Sequence, residues 1–436
     1  MKSTTLSFAL IAFLLSACSE RNNEVMTEIA NWKGGKNGAI SITYDDASIN
    51  QFRQALPIMD TLGIKGTFFI NTAHIQDNQI PPKYFGRPLQ EIIRETASQP
   101  TNRSNLFERA SALRFTGVKG AVEAHNSAGS LYENEKLEEA CKVIDEAYAL
   151  ARRQKAASGV WPRPSGDMIT WSEIKQFAAN GHEFGSHTIS HPRLAVLDEA
   201  NMLYELEKCK EEIHGQLGAD HTFSAECPFG TENERVMQYA YKVHPALRNR
   251  MPEPFLEEIN RWNDMTPGMS DKPYVQWQRG PLAKTPVPLM KSWVDTLVVR
   301  DNAWLVLTFH GVDGIGWEAK PHEELKAYFT YMKAHEDKLW IAPFRDVTKY
   351  IREHMAAKVN TQRKGDDIVV SLDHSLEKDL YDYPLTLKTY LPDGWNEVKV
   401  SQGSQELQHT LLRDDAGAYV QYEAIPNEDD IAISSH

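Results

Sequence analysis

Gly38-Ala39-Ile40-Ser41-Ile42-Thr43-Tyr44-Asp45-Asp46 is followed in the chain by Gly66-Thr67-Phe68-Phe69-Ile70. The first stretch alternates β-branched and polar residues and runs directly into two adjacent carboxylates, which predicts a strand ending in a functional pair. Between the two stretches, Phe52, Leu56, Ile58, Met59 and Leu62 recur at helical spacing before Gly63. Strand, helix and strand in so short a span make a βαβ unit, and that predicts a parallel sheet with helices outside it.

Working outward, the rhythm breaks after Asn71 and resumes near Met168. Residues 72–168 read as an insertion with a short helix near Leu89 to Thr96 and an amphipathic helix from Glu135 to Lys155. It is expected either to wall a substrate cleft or to make a subunit contact. A helix from Ile169 to Asn180 and a strand from His182 to Gly185 then lead into Ser186-His187-Thr188-Ile189-Ser190-His191-Pro192. Pro192 would interrupt a helix through His191, so both histidines are placed on a strand end and loop. Asp198 caps a helix whose Leu203, Leu206, Cys209, Ile213 and Leu217 share a face. A strand near Thr222 to Glu226 enters the turn Cys227-Pro228-Phe229-Gly230. Residues 251–290 are rich in proline and charge and predict loops, with Tyr274 to Gln278 as a short strand. Ala303 to Phe309 is a buried strand that delivers His310. A helix from Glu323 to His335, a strand from Leu339 to Ala342 and a helix from Val347 to Met355 complete the unit.

From Lys358 the pattern changes to short strands, Ile368 to Leu372, Leu385 to Leu391, Val398 to Ser401 and Tyr419 to Ala424, which predict a small all-β domain. Residues 360–436 hold 6 Lys and Arg against 15 Asp and Glu, so much of the acidity of the chain is a solvated face of this domain. The whole chain of 436 residues carries a net charge of −13 with 41% hydrophobic residues. That is a globular composition with no general basic surface for phosphates, which argues against a nucleic-acid partner.

The first residues combine Lys2 with the apolar run Leu6 to Leu15, too short to span a bilayer, and are expected to be a signal peptide. Leu15-Ser16-Ala17-Cys18 resembles the bacterial lipobox, which implies a lipid on Cys18 and a membrane-anchored envelope protein, with the outer membrane preferred because Ser19 follows the cysteine. Cys141, Cys209 and Cys227 remain, an odd number that leaves at least one thiol free. The expected organisation is a signal peptide over 1–17, a tether over 18–35, an α/β barrel over 36–357 and a β-sandwich-like domain over 358–436.

Parallel α/β proteins place their functional groups at the carboxyl ends of strands, and Asp45, Asp46, His187, His191, the Pro228 turn and His310 all fall there. An Asp-Asp pair alone is common in turns, and a lone histidine is more often a structural hydrogen-bonder. Together, two imidazoles and a carboxylate fit a divalent metal, and a second carboxylate beside them can take a proton from water.

Thr43-Tyr44-Asp45-Asp46, Ser186-His187-Thr188-Ile189-Ser190-His191, Pro228-Phe229-Gly230 and Leu307-Thr308-Phe309-His310 resemble, in order, the motifs of the polysaccharide deacetylase family, carbohydrate esterase family 4. The resemblance covers roughly residues 38–355 apart from the insertion. It implies a distorted (β/α) barrel and metal-dependent hydrolysis of acetyl groups on an extracytoplasmic polysaccharide or oligosaccharide, usually with zinc. Carried onto this chain, it makes Asp46, His187 and His191 the metal ligands, Asp45 the general base and His310 the general acid. Zinc in such a site lowers the pKa of water to about 7, and the backbone N–H of Phe229 is the expected oxyanion donor.

Two departures stand out. Where the third motif of the family has an arginine, this chain has Glu226, so Asp45 is held either by Arg193, Arg261 or Arg279 or by backbone donors alone. The aspartate and tryptophan of the fourth motif have only Asp264 and Trp262 as candidates. Trp317 is a candidate for stacking on a sugar, and Leu307 for an acetyl pocket, although a buried strand needs such a leucine for packing as well. Hydrolysis of O-acetyl esters and of N-acetyl amides fits the same residues, and a non-catalytic glycan-binding lipoprotein is the reading from a different class. The terminal β domain fits a carbohydrate-binding module or a spacer, and the oligomeric state is not legible.

Overall fold

The computed structural model describes residues 25–154, 161, 166–252, 256–260 and 264–435. Cys18, the segment 1–17, Arg261 and Trp262 lie outside the described residues. The main sheet contains β2 (Gly38–Asp45), β3 (Thr67–Ile70), β4 (Glu183–Ser186), β5 (Ser224–Ala225), β6 (Ala246–Leu247), β7 (Glu257–Ile259), β8 (Val275–Arg279), β9 (Ala303–Phe309) and β10 (Leu339–Ile341). Its order is β6-β5-β4-β3-β2-β9-β8-β7, with β10 on the first half of β2, and all of its pairings are parallel. This curled parallel sheet, with helices outside, is the distorted (β/α) barrel expected from the opening βαβ unit. No ladder joins β6 to β7 among the described residues; instead Gln276 and Gln278 of β8 donate to the carbonyl of Arg248, just after β6, at 2.9 and 3.2 Å.

Alternation along the two central strands decides what faces the site. In β2, Ile40, Ile42 and Tyr44 pack against the helical layer, while Ser41, Thr43 and Asp45 point to the barrel interior with their polar atoms engaged there. In β9, Leu305, Leu307 and Phe309 face the helices, and Trp304 and Val306 face inward. Leu307 is therefore a core residue and does not line the cleft, which corrects its assignment to an acetyl pocket.

The helical layer comprises α1 (Leu56–Thr61), α2 (Leu89–Glu95), α3 (Leu106–Leu113), α4 (Ala121–Glu133), α5 (Leu137–Gln154), α6 (Trp171–Ala179), α7 (Glu199–Leu217), α8 (Glu234–Val243), α9 (Val287–Val298), α10 (His322–Lys333) and α11 (Phe344–Ala356). Helices α2 to α5 form the insertion, with a core of their own around Leu106, Leu113, Ile144 and Tyr148. Residues 251–290 are less irregular than the proline content suggests, because β7 lies among them and α9 starts there. None of the described helices is long and apolar enough to cross a membrane.

The carboxyl-terminal unit is two antiparallel sheets sharing one core. The first pairs β1 (Thr27–Ile29), β13 (Leu385–Tyr390), β17 (Gly417–Ala424) and β16 (His409–Asp414); the second pairs β11 (Lys358–Lys364), β12 (Asp367–Asp373), β18 (Ile431–Ser435), β14 (Val398–Gln402) and β15 (Gln405–Glu406). Tyr350 of α11 enters this core and donates its hydroxyl to Ala30 O at 2.7 Å. The presence of β1 corrects the expected tether over 18–35, because residues 27–29 are a strand of the sandwich and Trp32 is fully buried. Leu387 is fully buried between the two sheets. Leu387→Ala is expected to cost about 2–5 kcal/mol by the cavity it leaves, measurable as a lowered urea midpoint.

Candidate active site

Asp45 ends β2 on its inward-facing side and is 3% exposed. Its carboxylate receives a bidentate pair from Arg248, Nη1 to Oδ1 and Nη2 to Oδ2, each at 2.7 Å. Arg248 Nη1 also donates to Thr43 Oγ1 at 2.8 Å, and its Nε lies 3.6 Å from Glu226. Glu226 in turn accepts from the side chain and backbone N–H of Asn249 at 2.6 and 3.2 Å. The planar guanidinium matches a carboxylate with two parallel hydrogen bonds, which fixes orientation as well as charge.

The partner of Asp45 was not among the three arginines considered from the sequence. Arg193 instead pairs with Glu133, and Arg279 donates to the carbonyl oxygens of Gln278 and Met265. Arg248 follows a strand of only two residues, and the apolar pair Ala246-Leu247 after a helix is the one signal that pointed to it. The residue two before Pro228 is the acid Glu226, and the guanidinium comes from the end of the neighbouring strand, β6.

Asp46, the next residue, adopts φ 78°, which turns its side chain away from the direction of Asp45 and toward the histidine loop. Its Oδ1 lies 3.2 Å from His191 Nε2 and 3.6 Å from His187 Nε2. The ligand atoms of the three residues all lie within 4.8 Å of one another. Ligands at about 2.0–2.2 Å from a tetrahedral ion stand roughly 3.4 Å apart, so these three residues fit a divalent cation. The second nitrogen of His187 supports the same fit. Nδ1 is 2.7 Å from Glu226 O, a group that can only accept, so Nδ1 carries the proton and Nε2 presents a lone pair.

His310 follows β9, with its Nε2 3.5 Å from Asp45 Oδ2. Its Nδ1 is buried and has no hydrogen-bond partner among the described residues. Asp264 is exposed and does not hydrogen-bond to Nδ1 of this ring. Two other contacts hold His310. Gln51, fully buried, donates from Nε2 to His310 O at 2.8 Å and also to Asp45 O, tying the ends of β2 and β9 together. The ring of Trp317 meets that of His310 edge to face at 4.6 Å while remaining 57% exposed. On the other side, Phe229, with φ 63°, packs its ring 4.6 Å from His191. Asp45, Asp46, His187, His191, Phe229, His310 and Trp317 all line one cleft of about 480 Å³. Cys227 lines it as well, and burial pushes its thiol well above the ordinary range, which disfavours the thiolate.

Burial alone would raise the Asp45 carboxyl, but Arg248 and the nearby histidines outweigh it and hold it below its ordinary value. Burial lowers His310 against the pull of Asp45. The cleft therefore sets an ionised carboxylate and a neighbouring imidazole beside three residues that could hold a divalent ion.

Residues 33–105 and 140–247 match the family model described as polysaccharide deacetylase, leaving 106–139 outside the matched segments. A gellan lyase from a Bacillus species is 25% identical over 282 residues, which is 59% of this chain. The chain spans only 11% of the length of that relative. Among solved structures, a putative polysaccharide deacetylase from Mycobacterium smegmatis overlaps 77% of this chain and 97% of its own, with 12% identity and a TM-score of 0.37. The Xyl-CE4 domain of a multidomain xylanase from the hindgut metagenome of Trinervitermes trinervoides overlaps 71% and 89%, with 12% identity and a TM-score of 0.34. The matched segments take in β2 to β6 of the barrel and stop before β7.

The buried pair gives a test that needs no substrate. Arg248→Gln leaves Asp45 buried without its partner and is expected to cost about 3–5 kcal/mol, whereas Asp45→Asn with Arg248→Gln removes both charges and should cost much less. Because the folded carboxyl lies below its unfolded value of about 3.9, its contribution is complete above that value and is lost as pH falls through the lower folded value. Urea unfolding of metal-free protein across acid pH should show a shallower acid decline in the double variant.

Proposed function

We propose that the protein is a metal-dependent carbohydrate deacetylase that hydrolyses acetyl groups on a polysaccharide. The observation that carries the reading is the bidentate hold of Arg248 on Asp45 directly beside the Asp46, His187 and His191 tripod. A base fixed in orientation next to a metal site is what water attack on an acyl carbon requires.

In this reading Asp46, His187 and His191 hold the ion, with zinc the expected metal. The ion would supply Lewis-acid polarisation of the acetyl carbonyl and a lowered pKa for water. Asp45, kept ionised by Arg248, takes the proton of the attacking water. The backbone N–H of Phe229 donates to the carbonyl oxygen as negative charge develops on it. His310 delivers a proton to the departing amine or alkoxide, since either is a poor leaving group without one. Trp317, exposed at the rim, offers a face on which a sugar ring can stack. Lipid attachment at Cys18 and a place in the bacterial envelope, with the outer membrane preferred, complete the proposal, and Cys18→Ser should release the protein from membranes.

Asp45→Asn is expected to lower acetate release by a factor of about 10² or more while leaving zinc binding intact. Chelation should abolish release and zinc should restore it. The reading fails if the purified protein binds no divalent metal, or if folded Asp45→Asn releases acetate at the wild-type rate. A panel of N- and O-acetylated glycans measured on the same sample separates amide from ester hydrolysis.

A further inference from the structure

The loop that carries the two histidines is strained. Thr188 and His191 have φ of 68° and 54°, left-handed values that cost about 1 kcal/mol or more for residues with a Cβ. Something must hold it, and the helical insertion sends one arm to this loop and a second to the Phe229 turn packed against His191.

The first arm is Arg114, directly after α3, whose side chain is 1% exposed. Its Nη2 donates to Ser190 O at 3.2 Å and to Ser190 Oγ at 2.7 Å, and its Nη1 to Glu205 Oε1 at 3.3 Å. Glu205, on α7, accepts from the backbone N–H of Ile189 and Ser190, both at 2.9 Å, and from the Ser190 hydroxyl. A buried ion pair is a weak source of net stability because desolvation cancels much of its attraction. What this one provides is placement, since both charges converge on Ser190, immediately before His191.

The second arm is Glu133, the last residue of α4, which pairs with Arg193. The Arg193 guanidinium lies 4.3 Å over the Phe229 ring, and that ring lies against His191. Helix α4 carries Gly129 where the Arg193 stem crosses it, and a Cβ there would come within 2.3 Å of Arg193 Cδ.

We propose that residues 106–139, the stretch of the insertion bearing Arg114, Gly129 and Glu133, are a positioning element of the active site. Arg114 fixes the loop between the histidines, and Glu133, acting through Arg193, fixes the Phe229 turn. The inference rests on the metal-dependent reading of the tripod for what the loop binds.

The two arms act on different quantities. In the full-length chain, Arg114→Met is expected to raise the Kd for zinc, titrated against a competing chelator, by about tenfold or more. Glu133→Gln and Arg193→Met should leave that Kd within about twofold and lower kcat for acetate release by about tenfold, with KM unchanged, as for a donor used only in the transition state. Exposed Glu123→Gln, in the same stretch, should change neither. If Arg114→Met does not fold, Arg114→Met with Glu205→Gln removes both buried charges and is expected to show the same loss of zinc affinity. Folded variants of Arg114 with wild-type Kd overturn the first arm, and unchanged kcat in both Glu133→Gln and Arg193→Met overturns the second. A wild-type protein that binds no zinc overturns the metal reading itself, before any variant is compared.

Discussion

The buried pair between Arg248 and Asp45 is the constraint on which the site depends. A carboxylate 3% exposed at the end of a strand keeps its charge only if an opposite charge is held beside it. Arg248 does this from the far side of the curled sheet, and its own backbone carbonyl is gripped by Gln276 and Gln278 of β8. The same residue therefore orients Asp45 and bridges β6 and β8, where no ladder joins β6 to β7 among the described residues. Glu226 gives the guanidinium a second anionic neighbour, and its carbonyl orients His187. Asp45, His187 and the closure of the barrel share one small network.

Much of this is legible in the sequence. The alternation of β2 placed Asp45 on one face, Pro192 placed the histidines on a loop, and the strand 303–309 delivered His310. Parity also held the answer for Leu307, which shares its face of β9 with Leu305 and Phe309 and not with Trp304 and Val306. What could not be read has physical reasons. Arg248 follows a two-residue strand with no period to detect, and the contacts of Gln51 with the carbonyl oxygens of Asp45 and His310 join residues far apart in sequence. Helix α9 was hidden by Pro286 and Pro288, although proline in a first turn marks where helices begin. β1 has three residues, and only its partner β13 makes it a strand.

The insertion changes how a family-like barrel is to be understood here. Its helices have a separate core, so they fold around their own apolar residues, yet they send Arg114 and Glu133 to the loop beside the tripod. A segment with its own core is rigid enough to brace a strained loop, which a flexible surface loop is not.

The strand β1 sets the direction in which the molecule faces. It lies in the sandwich, and the chain then passes Trp32, whose indole donates to Asp301 O just before β9 begins, so it enters the barrel at the amino ends of the strands. The cleft opens at the carboxyl ends, about 26 Å away along the eight residues of β2. The described chain thus begins with Val25 packed on the sandwich core, on the side of the barrel away from the cleft.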